Sequence, residues 1–337
     1  MKRRDLLAGI AGAAMLGPLA AKAQQPGKIY RIAIAEPSGA IDRWNEAEGS
    51  PPFWREFFEE LRRRGLVERR NLIVERYSGE GRSDRFAELA HTVIAANPDV
   101  IFCGTLRLAA AFKAATATIP IVAEVADPVA FGLVSSLAHP GGNLTGVVED
   151  GGLEFYAKHL ELLREMVPGA SRIAYLTPRA VWDSPILLAP VKEAAKQAEV
   201  TLIPAVLEAP IREAEYRRVF ALLAQGGAEA VIVGSSVENS ASGRLIVELA
   251  AQTRLPAIYP GRRYAVQGGL MAYGSDLIEL YRRAAADIAA ILNGANPGDI
   301  PFYRASRFEL VINLETARAL GLTVTQLLLA QADEVIE

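Results

Sequence analysis

Two short apolar segments about 140 residues apart place the strongest constraint on how this chain can fold. They are residues 32–37 (IAIAEP) and residues 173–178 (IAYLTP). Each is followed by an irregular loop, a helical pattern, a second apolar run, another helical pattern and a third apolar run that ends in Gly104 or Gly234. The spacing is far too long for a solenoid repeat. The repeated order therefore predicts two similar lobes.

The apolar runs predict the strands of an α/β fold. They lack the alternation of polar and apolar residues that is typical of a half-exposed sheet, so we expect parallel strands that helices cover on both faces. Strands are predicted at 31–36, 72–77, 100–104, 121–124, 146–148, 172–177, 201–206, 230–234, 257–259 and 270–273. Helices are predicted at 53–64, 84–96, 109–117, 154–166, 185–198, 213–225, 244–253 and 277–292.

The expected architecture is two doubly wound parallel-sheet lobes with a ligand cleft between them. Ligands of such sheets lie outside the carboxyl ends of the strands, so two facing lobes would line one cleft from both sides. We predict a first lobe formed by residues 28–148 plus 274–300 and a second lobe formed by 149–273 plus 301–337. Hinges are expected at 145–150 and 270–274.

The polar residues at the predicted strand ends are the candidate ligand contacts. In the first lobe they are Glu36, Ser38, Thr105, Arg107 and Asp127. In the second lobe they are Trp182, Ser184, Ser235, Ser236, Glu238, Asn239, Tyr273 and Asp276.

Thr105 and Arg107 follow the glycine that ends a first-lobe strand. Free backbone N–H groups at a helix start, together with a hydroxyl and a guanidinium, suit a ligand carboxylate. Two alternatives remain open, because Thr105 is also a suitable N-cap and Arg107 is also suited to an ion pair with a nearby acid.

The densest polar run at a predicted strand end is residues 235–240 (SSVENS). Its serines suit helix capping as well as ligand contact. Trp182 suits stacking on a flat ligand, although many tryptophans only fill a core. Asp276 precedes the 277–292 helix, where an N-cap is the favoured interpretation.

Composition and motifs exclude several function classes. The net charge of −3 gives no electrostatic reason to expect nucleic acid as a partner. Cys103 is the single cysteine and the three histidines show no metal-ligand spacing, so we expect no metal and no cofactor. The chain lacks a Gly-x-Ser-x-Gly elbow, a phosphate loop and a Gly-x-Gly-x-x-Gly fingerprint. The sequence therefore predicts that the protein is not an enzyme.

The first 23 residues predict a cleavable export signal. Lys2, Arg3 and Arg4 precede a short apolar run, and small residues follow up to Ala23. The adjacent arginines resemble a twin-arginine signal, and a Sec signal is the alternative. We expect cleavage near Ala23 and a location in the periplasm.

Several segments resemble the ABC-transporter substrate-binding family that includes tryptophan- and tyrosine-binding members. They are residues 65–75 (GLVERRNLIVE), 118–122 (TIPIV), 127–129 (DPV), 132–146 (GLVSSLAHPGGNLTG) and 308–314 (FELVINL). The resemblance implies a type I periplasmic binding protein that closes on a small solute. The chain departs from the family's usual Gly-Thr-Pro-Ala-Ala at 104–108 (GTLRL) and from its Glu-x-Asn-Ser-like segment at 180–184 (AVWDS).

The expected function is solute capture. We predict that an exported monomer binds a small carboxylate-bearing molecule, an amino acid or an aromatic acid, and delivers it to an ABC permease in the inner membrane. Two alternatives remain open: an exported enzyme on the same fold, and a sensor subunit of a membrane receptor.

Overall fold

The computed structural model describes residues 28–149 and 152–337. The export signal predicted at residues 1–23 and the end of the hinge predicted at 145–150 lie outside the described residues. No helix within the described ranges has the length and apolar character that crossing a membrane requires.

The strands form two sheets. In chain order they are β1 Tyr30–Glu36, β2 Leu72–Ser78, β3 Val100–Cys103, β4 Ile121–Val125, β5 Leu144–Val148, β6 Arg172–Pro178, β7 Thr201–Leu207, β8 Ala230–Val233, β9 Ala257–Tyr259, β10 Met271–Ser275, β11 Tyr303–Arg304, β12 Phe308–Asn313 and β13 Glu334–Ile336. The first sheet has the order β11-β5-β4-β3-β1-β2, and the second has the order β13-β12-β10-β9-β8-β6-β7.

Helices cover both faces of each sheet. They are α1 Pro52–Arg63, α2 Phe86–Ala95, α3 Leu106–Ala115, α4 Leu153–Met166, α5 Arg179–Trp182, α6 Pro185–Gln197, α7 Glu213–Gln225, α8 Val237–Ala241, α9 Gly243–Gln252, α10 Arg262–Val266, α11 Leu277–Leu292, α12 Leu314–Leu320 and α13 Gln326–Gln331. Short 3-10 turns occupy Ile41–Arg43, Ser83–Arg85 and Pro297–Asp299. The predicted α/β class with two parallel-sheet lobes is confirmed.

Strand β1 shows why both faces of the first sheet are apolar. Ile32 and Ile34 point to one side, where they pack with residues of α1 and α11. Ala33 and Ala35 point to the other side, towards α2 and α3. All four side chains are fully buried, and burial of apolar surface at about 25 cal/mol per Å² is the main stabilising contribution.

The chain crosses between the sheets after β5, β10 and β11. The crossing segments are bonded to one another: Ser275 Oγ donates to the Glu149 carbonyl, and the Asp276 N–H donates to the Arg307 carbonyl at 3.0 Å. Helix α11 follows β10 of the second sheet but packs on α1 of the first lobe. These segments are where the two lobes are joined.

The structure differs from the sequence prediction at two boundaries. Strand β11 pairs with β5, so the first sheet extends to Arg304, beyond the predicted lobe boundary at residue 300. Helix α3 begins at Leu106 instead of residue 109, because the Thr105 hydroxyl accepts the Leu108 N–H and caps the helix there.

Candidate ligand-binding cleft

The carboxyl ends of the two sheets face each other, and side chains from both sides meet. Ser83, which follows β2, donates from Oγ to Glu238 Oε1 at 3.0 Å. Arg107 Nη1 donates to Ser83 Oγ at 2.9 Å and lies 3.9 Å from Glu238 Oε1. We call these three residues the interlobe bridge. Two predicted ligand contacts, Arg107 and Glu238, are thus brought together and pair with each other.

An apolar contact accompanies the interlobe bridge. Val237 of the second lobe is buried in the core cluster formed by residues of the first lobe. Gly81 of the first lobe approaches Ala241 so closely that a Cβ atom added to the glycine would lie 2.8 Å from the alanine Cβ. The lobes are therefore in direct contact along this rim, as expected of a closed cleft.

Two carboxylates lie at the carboxyl ends of first-sheet strands. Glu36 ends β1 and is 8% exposed, and Glu124 in β4 is 7% exposed. Each of them stands two residues after a strand residue whose side chain packs with α1 and α11. Because side chains alternate between the two faces of a strand, both carboxylates point to that same face of the sheet. The Tyr281 hydroxyl of α11 donates to Glu36 Oε1 at 3.5 Å. We call Glu36 and Glu124 the acid pair.

Burial changes the protonation of the acid pair. Desolvation raises the pKa of Glu124 to about 7. Desolvation, and then repulsion by Glu124 and Glu149, raise the pKa of Glu36 well above its usual range. The hydrogen bond from Tyr281 lowers the pKa of both carboxyls but does not offset burial. Near neutral pH the acid pair therefore holds a proton.

Several predicted contacts cap helices. Thr105 caps α3, Ser184 caps α6 through the Leu187 N–H, and Ser236 caps α8 through the Asn239 N–H. Asp276 caps α11 by accepting from the backbone N–H groups of Ile278 and Glu279. The N-cap interpretations of Thr105, Ser236 and Asp276 are confirmed.

Asn239 was predicted as a ligand contact, and the structure assigns its amide to the protein. The side chain is fully buried, and Nδ2 donates to the carbonyls of Leu176 and Gly234 at 3.0 and 2.9 Å. Oδ1 accepts from the Tyr216 hydroxyl at 3.2 Å. The amide thus joins the ends of β6 and β8, and these bonds favour a structural role for Asn239 over contact with a solute.

The remaining predicted contacts do not converge on one point. Asp127 accepts from the N–H groups of Val129 and Ala130 in an exposed turn. Trp182 is half-buried against the second-lobe core, with Lys192 Nζ 5.8 Å from its ring centre. Tyr273 stacks on Phe308 with ring centres 5.6 Å apart. Ser38 is half-buried and Ser235 is exposed.

Sequence reasoning missed Ser83 and Tyr281. Ser83 lies 155 residues from Glu238, and Tyr281 lies 245 residues from Glu36. Neither residue stands at a predicted strand end, which was the signal used to select candidates. Only the packing of α11 and of the turn Ser83–Arg85 against the strand ends reveals them.

The described residues contain no group of three or more histidine, cysteine and acidic side chains placed to hold a metal. Burial raises the pKa of the Cys103 thiol well above its usual range, so the thiol is protonated. Burial lowers the pKa of His159 to about 4, so this core histidine is neutral. These groups are core residues of their lobes.

A family model described as "ABC transporter substrate binding protein" matches residues 54–336. A tyrosine-binding protein of Clostridioides difficile (strain R20291) is 24% identical over 267 residues, which cover 79% of this chain and 75% of that protein.

Two solved structures show the same fold. A conserved domain protein from Vibrio cholerae O1 biovar El Tor N16961 has a TM-score of 0.81 and 24% identity, with 91% of this chain and 100% of that chain covered. The ABC domain of Streptococcus pneumonia in complex with L-Trp has a TM-score of 0.80 and 21% identity, with 92% and 100% covered.

Proposed function

Because this chain belongs to the ABC transporter substrate-binding protein family, we propose that it is an exported protein that captures a small solute by lobe closure and delivers it to an ABC importer. Members of the family bind small-molecule solutes, work with ABC permeases and are typically extracytoplasmic. The family consists of substrate-binding proteins, not enzymes. The function that follows for this chain is capture of a solute without its chemical conversion.

The interlobe bridge is the observation that carries the proposal. A solute that touches both lobes stabilises the closed form by its differential affinity for the two forms. Contacts that form only between the lobes, such as that of Ser83 with Glu238, add to this closure. The closed form is what a permease would recognise.

The proposed solute carries a carboxylate and is an amino acid or an aromatic acid. The relatives whose names state a ligand support this class, because one is a tyrosine-binding protein and another holds L-Trp. Arg107 uses Nη1 in the interlobe bridge and is 52% exposed, so its other nitrogens remain suited to a carboxylate. The N–H groups at the start of α3 support the same position.

Calorimetry on the purified protein tests this function. Titration with amino acids and aromatic acids, including L-tyrosine and L-tryptophan, is expected to give saturable binding without release of a product. Arg107→Ala is expected to weaken binding of the best carboxylate, and the exposed Arg244→Ala is the matched control. Turnover of the bound solute would contradict the proposal, and unchanged affinity in Arg107→Ala would refute the carboxylate anchor.

A further inference from the structure

The last crossing of the chain between the lobes is only two residues long. The Ala305 N–H donates to the Val148 carbonyl at 2.9 Å, so residue 305 still belongs to the first sheet. Phe308 already pairs with Ser275 in the second sheet. Residues 306–307 therefore join the lobes, and short connections of this kind absorb the rotation of one lobe relative to the other. We call these two residues the third link.

A side chain of the first lobe holds the third link. Glu279 lies in the first turn of α11, which packs on α1. Its Oε1 atom accepts hydrogen bonds from the Ser306 hydroxyl at 3.1 Å and from the Tyr303 hydroxyl at 2.6 Å. Tyr303 belongs to β11 of the first sheet, so its bond stays within one lobe. The bond from Ser306 is the one that ties the first lobe to the third link.

The second oxygen of Glu279 has no partner. Glu279 Oε2 is buried and accepts no hydrogen bond, and the same is true of Asp287 Oδ2, two turns farther along α11. Buried polar atoms without a partner are rare in folded proteins. Within residues 28–149 and 152–337 four buried side-chain atoms are in this state, and α11 carries two of them. Both belong to acids that flank one arginine, Arg283.

Arg283 lies between these two acids on the same face of α11. It is four residues from each, which is a spacing at which helix side chains meet. Its Nε atom lies 3.3 Å from Asp287 Oδ1, and its guanidinium carbon lies 5.6 Å from the centre of the Tyr303 ring. An acid four residues before a base forms the stronger pair on a helix, so Glu279 is intrinsically the better partner. Arg283 nevertheless pairs with Asp287 while Glu279 is bonded to the third link.

We propose that Glu279 is a positioning residue for lobe closure, and that it exchanges Ser306 for Arg283 when the cleft opens. In the closed form Glu279 holds the third link, and Arg283 stays with Asp287. In the open form the third link moves, Ser306 leaves Glu279, and the guanidinium of Arg283 takes its place. The inference rests on the proposed function, because it names the side chains that set the balance between the closed and open forms.

The exchange gives each form a contact that the other form lacks. A hydroxyl bonded to a carboxylate favours the closed form, and an ion pair within α11 favours the open form. Two arrangements of similar free energy make a bistable element, which a solute that touches both lobes shifts by its differential affinity. The Arg283 side chain is 43% exposed, so solvent screening limits the competing ion pair to a factor of about two to five in the populations.

The test uses two variants with effects of opposite sign. Ser306→Ala removes the bond that holds the third link and should raise the ratio of open to closed protein about three- to tenfold. Arg283→Gln removes the competing cation and should lower this ratio about two- to fivefold. Distances between spin labels on α2 and α6 measure the ratio without solute. Calorimetry with L-tyrosine and L-tryptophan measures the affinity, which should fall in Ser306→Ala and rise in Arg283→Gln.

Controls separate this role from a general loss of structure. Arg282→Gln changes the neighbouring exposed arginine of α11 and should behave as wild type. Arg283→Lys keeps the positive charge and should restore most of the wild-type ratio. In Glu279→Ala protein, Ser306→Ala should have no further effect, because the acceptor of the Ser306 hydroxyl is gone. Urea unfolding establishes that each variant is folded.

The ratio without solute tests the inference independently of which solute binds. Shifts in opposite directions, with the effect of Ser306→Ala absent in Glu279→Ala protein, support the exchange. Shifts in the same direction, or no shift in either variant, would overturn the inference and leave solute capture standing if the wild type binds a solute and closes. A wild type that neither binds a solute nor closes would contradict the proposed function itself.

Discussion

The interlobe bridge and the acid pair both lie near the carboxyl ends of first-sheet strands, yet their carboxylates have opposite kinds of partner. In the interlobe bridge, the Glu238 carboxylate of one lobe receives Ser83 and lies near Arg107 of the other. In the acid pair, two buried carboxylates of one lobe share one tyrosine hydroxyl and have no cationic partner among the described residues.

The difference separates a contact between the lobes from a buried pair within one lobe. The interlobe bridge is complete without a solute, so it contributes to any closed form of the protein. The acid pair has no cationic partner among the described residues, so burial raises the pKa values of both carboxyls and the pair holds a proton near neutral pH.

The largest expected effect is on the pH dependence of stability. The Glu124 carboxyl has a pKa of about 7 in the folded protein and an ordinary value of 4.5. Between pH 4.5 and 7 the folded state therefore binds a proton that the unfolded state does not bind. The stabilisation is fully present below pH 4.5 and is lost as pH rises through 7. Glu124→Gln should remove about 2–3 kcal/mol of the decline in unfolding free energy between pH 5 and 8.

Urea unfolding at pH 5, 6, 7 and 8 measures this decline. His159 has an opposite effect, because its lowered pKa of about 4 makes stability rise with pH up to its ordinary value of 6.5. Subtracting the unfolding free energies of Glu124→Gln from those of wild type cancels the contribution of His159. The control is Glu248→Gln at an exposed position, which should behave as wild type. Parallel curves for wild type and Glu124→Gln would show that the acid pair does not hold the proton.

A second effect is steric and tests the position of Glu36. Gly104→Ala would place a methyl group against the Glu36 carboxylate, so the acid pair must shift. We expect a loss of about 1–3 kcal/mol in unfolding free energy together with weaker solute binding. Gly49→Ala is the control, since nothing lies within 4 Å of an added Cβ there. Equal stability and affinity of the two variants would contradict the described position of Glu36.

The smallest effect belongs to the interlobe bridge. Arg107 is half-exposed, so solvent screening limits the pair to about 0.5–1 kcal/mol. Glu238→Gln and Ser83→Ala should therefore lower the ligand-free closed population by only about two- to fivefold, with little change in unfolding free energy.

Distances between spin labels on the two lobes measure this population, and Glu248→Gln is the matched control on the outer surface. If the distance distributions of wild type and Glu238→Gln coincide without solute, the interlobe bridge does not contribute to closure.

Local pattern was enough to predict most of the sheets. All ten predicted strands appear, because each is a short run of buried apolar residues that can be recognised from the local sequence alone. The strands β11, β12 and β13 were missed. Strand β11 has two residues and exists only through its pairing with β5, and β12 runs antiparallel to β10, outside the alternating strand–helix order.

The site was less accessible to sequence reasoning. Helix caps such as Thr105 and Asp276 were predictable, since a hydroxyl or carboxylate before a helix has a local role. The contact of Arg107 with Glu238 and that of Tyr281 with Glu36 join distant segments across the cleft or across the first lobe, and no local pattern encodes them. Asn239 shows why a polar residue at a strand end is an ambiguous signal, because its buried amide bonds to the backbone of the second lobe.

Small-angle scattering with and without a bound amino acid tests most directly whether the two lobes close on a solute. With L-tyrosine or L-tryptophan at a concentration that calorimetry shows to be saturating, the account predicts a smaller radius of gyration and a curve that matches the closed arrangement described above. Identical curves for the free and the saturated protein would contradict it.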